Sequence, residues 1–232
     1  MKANHCLFRP SFLLAALLGS TILHAQGNKP TSEILTKATV GAIFTDSVKK
    51  AFKLDYPIWR VYKYQDQSGK FYCVLTEGMD SIGKDEDDKD DTLHRKIRAV
   101  DLKIDGGVLT KVWELNDPLL TDKEMGDQET SIWFWTKYVE FQDFDKDGLI
   151  EPIIVYGTRT VDASEGRVKI LVYYKGKKIA IRHQDSDLDE GRHTDIDKAY
   201  YGLPQKLKDA IVAKMTLMDK DRNTIFDDIP KH

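Results

Sequence analysis

An acidic loop, residues 143–151, constrains the fold of this chain more than any other part of its sequence. It reads Asp143-Phe144-Asp145-Lys146-Asp147-Gly148-Leu149-Ile150-Glu151, with carboxylates alternating along most of its length. Stretches rich in aromatic and β-branched residues stand on both sides, Trp133 to Phe141 and Ile153 to Tyr156, and such stretches are typical of strands. The sequence therefore predicts a hairpin whose turn is the acidic loop.

The side chains of this loop predict a calcium site. Hard, anionic oxygens suit Ca²⁺, which takes about 6–8 oxygen ligands at roughly 2.3–2.6 Å. Gly148 stands where a chain that wraps around an ion must turn sharply, and glycine adopts positive φ at little cost. An Asp-rich surface turn is the alternative, because Asp favours turns, but clustered carboxylates without a cation would repel one another. The predicted ligands are Asp143, Asp145, Asp147, Glu151 and the carbonyl of Leu149.

The spacing of the loop distinguishes it from a helix-loop-helix calcium site. That site ends on a bidentate Glu at its twelfth position, which here is Ile154. The sequence resembles instead the D-x-D-x-D-G-x-x-[DE] loops of the FG-GAP and VCBS-type β repeats of integrin heads and many secreted bacterial proteins. The resemblance covers the loop and the strands beside it. No repeat of propeller length recurs in the chain, so we do not extend the resemblance to a propeller.

Alternating strands and tight turns predict a mainly β (α+β) fold. In Arg98 to Ile104, apolar and polar residues alternate, which predicts one buried and one wet face. Asp105-Gly106-Gly107 then turns this strand into Val108 to Leu115. Similar hairpins are predicted within 58–76 and 168–182. Because the strands follow one another without intervening helices, we expect an antiparallel meander or sandwich.

Two helices are expected to flank the strands within a single domain, residues 26–232. A short N-terminal helix is predicted over Ser47 to Leu54, and an amphipathic C-terminal helix from Leu203-Pro204 to about Met218. The segment 77–92 carries a run of like charges, which predicts a solvated acidic insertion that breaks the strand pattern.

The N-terminus, residues 1–25, reads as a signal peptide. Lys2 and Arg9 precede an apolar run from Phe12 to Leu23 that is shorter than the roughly 20 residues needed to span a bilayer. We therefore expect a secreted or periplasmic protein, or one displayed at the cell surface, with no transmembrane segment after cleavage. Removal of the peptide takes Cys6 with it and leaves Cys73, which we expect to be a buried, inert thiol.

Other acidic and basic side chains give weaker signals. A formal net charge of −3, without a basic face, argues against nucleic-acid binding.

The segment 219–227 repeats the alternation of Asp143 to Glu151, but Thr224 occupies the glycine position, so a frayed acidic terminus is favoured over a second ion site. Asp185, Asp187 and Asp189 also alternate, but they match the acidic loop more poorly. The remaining metal candidates, which we interpret as solvated loop residues, are His94, His183 and His193.

Two functional classes stay open. Trp133 and Trp135 share one face of a predicted strand. They either belong to an aromatic core or stack on sugar rings, and the core is favoured.

The order of several features resembles a family of secreted Gram-negative proteins labelled surface-polysaccharide biosynthesis proteins, which implies a link to surface glycan. Those features are the exported N-terminus, the calcium hairpin, the strand Lys178 to Arg182 and the Leu203-Pro204 helix. We expect a calcium-stabilised binding or structural module with a surface glycan or protein as partner.

The alternative is a periplasmic glycan hydrolase that uses carboxylates from the loops at 77–92 or 184–197. No nucleophile elbow, zinc-protease motif or glycine-rich phosphate loop is present in the sequence. Paired carboxylates of a glycosidase are set by distance in space rather than by sequence spacing, so the sequence leaves this alternative open.

Overall fold

The computed structural model describes residues 29–84, 90–120, 129–160, 165–227 and 229. The signal peptide prediction lies outside these residues, as does the centre of the predicted acidic insertion. Within them the chain forms two antiparallel sheets and three α-helices, which confirms the predicted mainly β fold with a short N-terminal helix and a C-terminal helix.

The first sheet is a meander in which every strand pairs with the next along the chain. Its strands are β1 (Thr31–Ile34), β2 (Ile58–Asp66), β3 (Gly69–Lys84), β4 (Asp90–Asp105) and β5 (Val108–Pro118). The turns between β2 and β3 and between β4 and β5 are short, as the Gly-containing sequences predict.

The second sheet has the strand order β11-β10-β9-β8-β6, and β7 also pairs with β8. Its strands are β6 (Glu129–Phe134), β7 (Glu140–Gln142), β8 (Glu151–Thr160), β9 (Gly166–Tyr174), β10 (Lys177–Asp185) and β11 (His193–Ile196). The predicted strand from Trp133 to Phe141 is therefore two strands, β6 and β7, separated by a turn at residues 136–138. The acidic loop joins β7 to β8.

Helices cover the outer face of each sheet. They are α1 (Lys37–Ile43), α2 (Asp46–Ala51) and α3 (Gln205–Lys220). Along α3, four apolar side chains of the predicted stripe are buried: Leu207, Ile211, Met215 and Met218. They pack against Ile153, Ile170 and other residues of the second sheet. The N-terminal segment packs in the same way on the first sheet, where Phe44 and Leu54 contact Val100 and Leu102.

A third apolar cluster lies between the two sheets. Tyr62, Tyr64 and Cys73 from the first sheet meet Phe141 and Ile154 from the second. Cys73 is fully buried and free, as predicted, and burial raises the pKa of its thiol well above the usual range. Layers of helix, sheet, sheet and helix thus bury residues on both faces of the central strands.

This layering corrects two sequence predictions. We expected one face of β4 to be exposed to solvent, but both faces are covered. Ala99 and Asp101 are buried between the sheets, and Val100 and Leu102 are buried under the N-terminal helices. The strand break expected from Glu77 was also wrong over 77–84 and 90–92, where β3 and β4 continue as a long hairpin. Sustained pairing between two strands outweighs the low strand preference of their acidic residues.

Candidate metal centre and an aromatic cleft

The ends of β7 and β8 hold the acidic loop. Gln142 pairs with Glu151, so the chain between them must leave the sheet and return to it over a short distance. In this conformation one carboxylate oxygen from each of four side chains lies within 4.8 Å of the others: Asp143, Asp145, Asp147 and Glu151. The structure therefore brings together the four side chains predicted from the sequence, and the cluster can hold a metal ion. The role of the Leu149 carbonyl stays a prediction.

Asp143 shows most directly that the cluster suits a cation. Its side chain is buried, and its Oδ2 accepts a hydrogen bond of 3.2 Å from the amide of Gly148. Its Oδ1 is buried and has no hydrogen-bond partner among the described residues. A buried carboxylate oxygen without a partner is costly, and a bound cation removes that cost.

The pKa of Glu151 reflects the repulsion between the carboxylates of the cluster. It is 2% exposed and accepts a hydrogen bond of 2.8 Å from the amide of Phe144. Burial, followed by the charges of Asp145, Asp147 and Asp143, raises the pKa of Glu151 to about 7. Two lysines partly offset the negative charge. Lys175 lies 3.0 Å from Asp147 and, against the effect of partial burial, lowers the pKa of that carboxyl, whereas Lys146 donates to the Asp143 carbonyl.

Backbone hydrogen bonds to the aspartates wrap the loop around the cluster. Asp145 accepts from the amide of Asp147, and Asp147 accepts from the amide of Leu149, each at 3.0 Å. Gly148 adopts a φ of +91°, as predicted from its position in the turn. Lys146 also has positive φ, +69°, a conformation that costs an L-residue free energy. The loop is thus held in a conformation that an unrestrained chain would rarely adopt.

The turn between β2 and β3 anchors the loop, a contact that sequence reasoning missed. Asp66 is 3% exposed and accepts a hydrogen bond of 3.0 Å from the amide of Ile150. In the same turn, the Gln67 amide donates to the carbonyl of Gly148 at 3.2 Å. Asp66 appears in the sequence as an ordinary turn aspartate, and only the packing of the two sheets shows its second role.

The weaker ion-site candidates do not converge among the described residues. Asp221 accepts from Lys137 and from the hydroxyl of Tyr138, both at 2.6 Å, while Asp227 pairs with Arg192. The histidines are not solvated loop residues as a group: His94 lies in β4, and His183 is 3% exposed in β10. His193 is exposed at the start of β11.

Trp133 and Trp135 lie on the wall of a cleft of about 970 Å³. Both rings are half-buried, with centroids 6.3 Å apart and planes inclined at 40°, and Trp135 also packs against the apolar cluster under α3. At the same cleft, Glu77 of β3 is 5% exposed and lies 3.5 Å from the ring of His94. Burial, the largest effect, raises the pKa of the Glu77 carboxyl.

No protein-family model, curated protein or solved structure matches this chain. None of the helices in the described part of the chain is long and apolar enough to cross a membrane.

Proposed function

We propose that this protein is an exported, calcium-stabilised binding module that acts at the cell surface or in the periplasm and engages a surface glycan or protein. The observation that carries the proposal is the convergence of four carboxylates around the unpaired Asp143 Oδ1. The signal-like N-terminus and the loop's resemblance to FG-GAP and VCBS-type calcium loops support the same reading.

Calcium fits this donor set better than other biological cations. All four side chains offer oxygen, whereas zinc and other softer metals favour nitrogen and sulfur ligands. Mg²⁺ demands near-ideal octahedral geometry and keeps several waters, while Ca²⁺ accepts irregular sets of carboxylates and carbonyls. The carbonyl of Leu149 and water would complete the coordination.

The ion would serve as a clip between the two sheets rather than as a catalyst. It would fix the β7–β8 loop, which contacts the β2–β3 turn through Asp66 and Gln67. Extracellular calcium modules bind with Kd values of about 10⁻⁴–10⁻³ M. At ten times Kd, binding stabilises a fold by about 1.4 kcal/mol, a useful increment for an exported domain whose described cysteine is free.

A second candidate function, a glycan hydrolase, is favoured by one observation. Glu77 is a buried carboxyl in a cleft, and burial raises its pKa, the direction of shift that a general acid requires. It belongs to the 77–92 segment from which the sequence predicts such a group.

A glycan array read alongside a turnover assay tests the proposed function and separates it from the alternative. The protein is applied in calcium and in chelator, and the bound saccharides are then incubated with it and analysed for shortened products. The binding module predicts retention without cleavage, and stronger retention in calcium. Cleavage would establish the hydrolase, and the absence of both binding and cleavage would contradict the proposed glycan link.

A further inference from the structure

The aromatic cleft has the size and position of a ligand site. Its volume of about 970 Å³ lies at the upper end of the range for small-molecule sites, roughly 300–1,000 Å³. Both sheets line it, because the edge strand β6 approaches the far ends of β3 and β4. Two hydrogen bonds fix this approach: Phe134 donates to Glu77 at 2.9 Å, and the His94 amide donates to Ser131 at 3.0 Å.

Aromatic rings form an open wall of the cleft. Trp59 is 58% exposed and lies on this wall, so its ring is accessible to a ligand. Trp133 and Trp135 stand next to each other, and Tyr138 lies beyond them with its ring centroid 6.2 Å from that of Trp135. The face of an indole carries negative charge density, which attracts the weakly positive C–H groups of a sugar ring.

Glu77 and His94 place a carboxyl oxygen and a ring nitrogen side by side at the cleft. The Nδ1 atom of His94 lies 3.2 Å from the carbonyl of Gly78, which can only accept, so Nδ1 carries hydrogen. His94 Nε2 faces the carboxyl Oε2 of Glu77 at 3.5 Å. At this distance the pair does not form a good hydrogen bond, which leaves both atoms available to a ligand hydroxyl, a group that can donate and accept.

The charges around the cleft favour a neutral ligand. Acidic and basic side chains line it in mixed order: Glu77, Glu165 and Asp185 with His94, Lys137, Arg159 and Arg222. Lys137 is already paired with Asp221. A cleft without a dominant charge does not concentrate ions of either sign, and neighbouring donors and acceptors suit hydroxyl groups, which do both.

We propose that this cleft binds one or more neutral sugar rings of a glycan, stacked on Trp59 and Trp133 and hydrogen-bonded to the Glu77–His94 pair. This inference rests on the binding role proposed above and assigns it a site. Aromatic stacking supplies affinity that tolerates variation in the ring, whereas the buried Glu77 and the partly exposed His94 select for a correctly placed hydroxyl.

Neutral hexasaccharides of glucose, N-acetylglucosamine, mannose and galactose, together with an acidic oligouronate, are suitable probes. Binding is measured by tryptophan fluorescence and confirmed by calorimetry, in calcium. We expect at least one neutral saccharide to bind saturably, and Trp59→Ala and Trp133→Ala each to weaken it about tenfold, the equivalent of one strong stacking contact. Tyr201→Ala is the matched control, because Tyr201 is 66% exposed and lies outside the cleft lining.

Glu77→Gln tests the contribution of the Glu77 carboxyl to binding separately from folding. The amide oxygen of Gln can still accept from Phe134, so the edge of β6 stays capped, while the carboxyl oxygen that faces His94 is replaced by a neutral NH2 group. We expect weaker saccharide binding with an unchanged melting temperature.

The outcomes separate the site from the proposed function. Neutral saccharide binding that survives both tryptophan substitutions would overturn the site and leave the binding module standing. Binding of the oligouronate alone would overturn the neutral specificity, and the absence of any binding would overturn both site and glycan partner.

Discussion

The buried carboxylate of Asp66 accepts a hydrogen bond of 3.0 Å from the amide of Ile150, although 84 residues separate the two in the chain. Asp66 ends β2 in the first sheet, and Ile150 lies in the acidic loop of the second. This bond places the acidic cluster where it can influence the packing of both sheets. A cation that orders the loop would therefore stabilise the contact between the sheets as well as one hairpin.

Replacing Asp66 should destabilise the whole domain. Asp66→Ala leaves the Ile150 amide without its acceptor and removes two further hydrogen bonds, from the amide and hydroxyl of Ser68. We expect a loss of about 2–3 kcal/mol in the free energy of unfolding, measured by urea denaturation, because hydrogen bonds to charged groups are among the stronger ones. Asp187→Ala, at an exposed loop position, should change it by less than about 0.5 kcal/mol. Equal midpoints for the two variants would contradict the anchoring role.

Gly148 should be intolerant of a side chain because of its backbone conformation. Its φ of +91° is unfavourable for alanine, and an added Cβ would lie 1.9 Å from the amide nitrogen of the Gln67 side chain. That side chain is exposed and can move, so we attribute the expected loss of about 1–2 kcal/mol to the backbone. Gly41→Ala in α1 meets nothing within 4 Å and should instead stabilise by about 0.5–1 kcal/mol. Unfolding curves of both variants, with and without Gln67→Ala, check this assignment.

Glu151→Gln should have opposite effects on the ion-free and calcium-bound protein. The pKa of Glu151, raised to about 7, means that its proton stabilises the ion-free fold and that this stabilisation is lost as pH rises through about 7. At pH 8 in chelator, the neutral amide removes the repulsion, and the variant should melt above the wild type. In calcium the order should reverse, because one anionic ligand is missing. Melting scans in both conditions test this, and the same order in both would contradict the assignment of Glu151 as a ligand.

Asp101 should make the stability of the domain depend on pH independently of the metal centre. It is 1% exposed, and burial raises its pKa to about 7 despite hydrogen bonds from the hydroxyl of Tyr64. In the unfolded chain the pKa of Asp101 is about 3.8, so the stabilisation of the fold by its proton is complete below that pH and is lost as pH rises through about 7. Asp101→Asn should therefore gain stability relative to the wild type between pH 5 and 8. Asp105 is exposed at the end of the same strand, so the free energy of unfolding of Asp105→Asn should vary with pH as that of the wild type does. A difference in unfolding free energy between Asp101→Asn and the wild type that does not change with pH would refute the prediction.

The parts of this protein that were predictable from the sequence are those set by neighbouring residues. The acidic hairpin, the Gly148 turn and the apolar stripe of the C-terminal helix depend on local alternation and backbone conformation. The buried faces of β4 depend instead on which layers cover the sheet, and the role of Asp66 depends on the packing of distant turns. The segment 219–227 resembles the first loop in sequence, yet its carboxylates find Lys137 and Arg192 as partners, a result that spacing alone does not reveal.

Thermal unfolding in calcium and in chelator, for the wild type and for Asp145→Ala, tests the central claim most directly. Asp145 belongs to the carboxylate cluster, so its removal should weaken calcium binding. At about ten times Kd, calcium should raise the melting temperature of the wild type by roughly 3–6 °C. It should leave Asp145→Ala unchanged, while Asp187→Ala retains the full rise. Identical melting temperatures for the wild type in calcium and in chelator, or the same rise in Asp145→Ala, would contradict the calcium site.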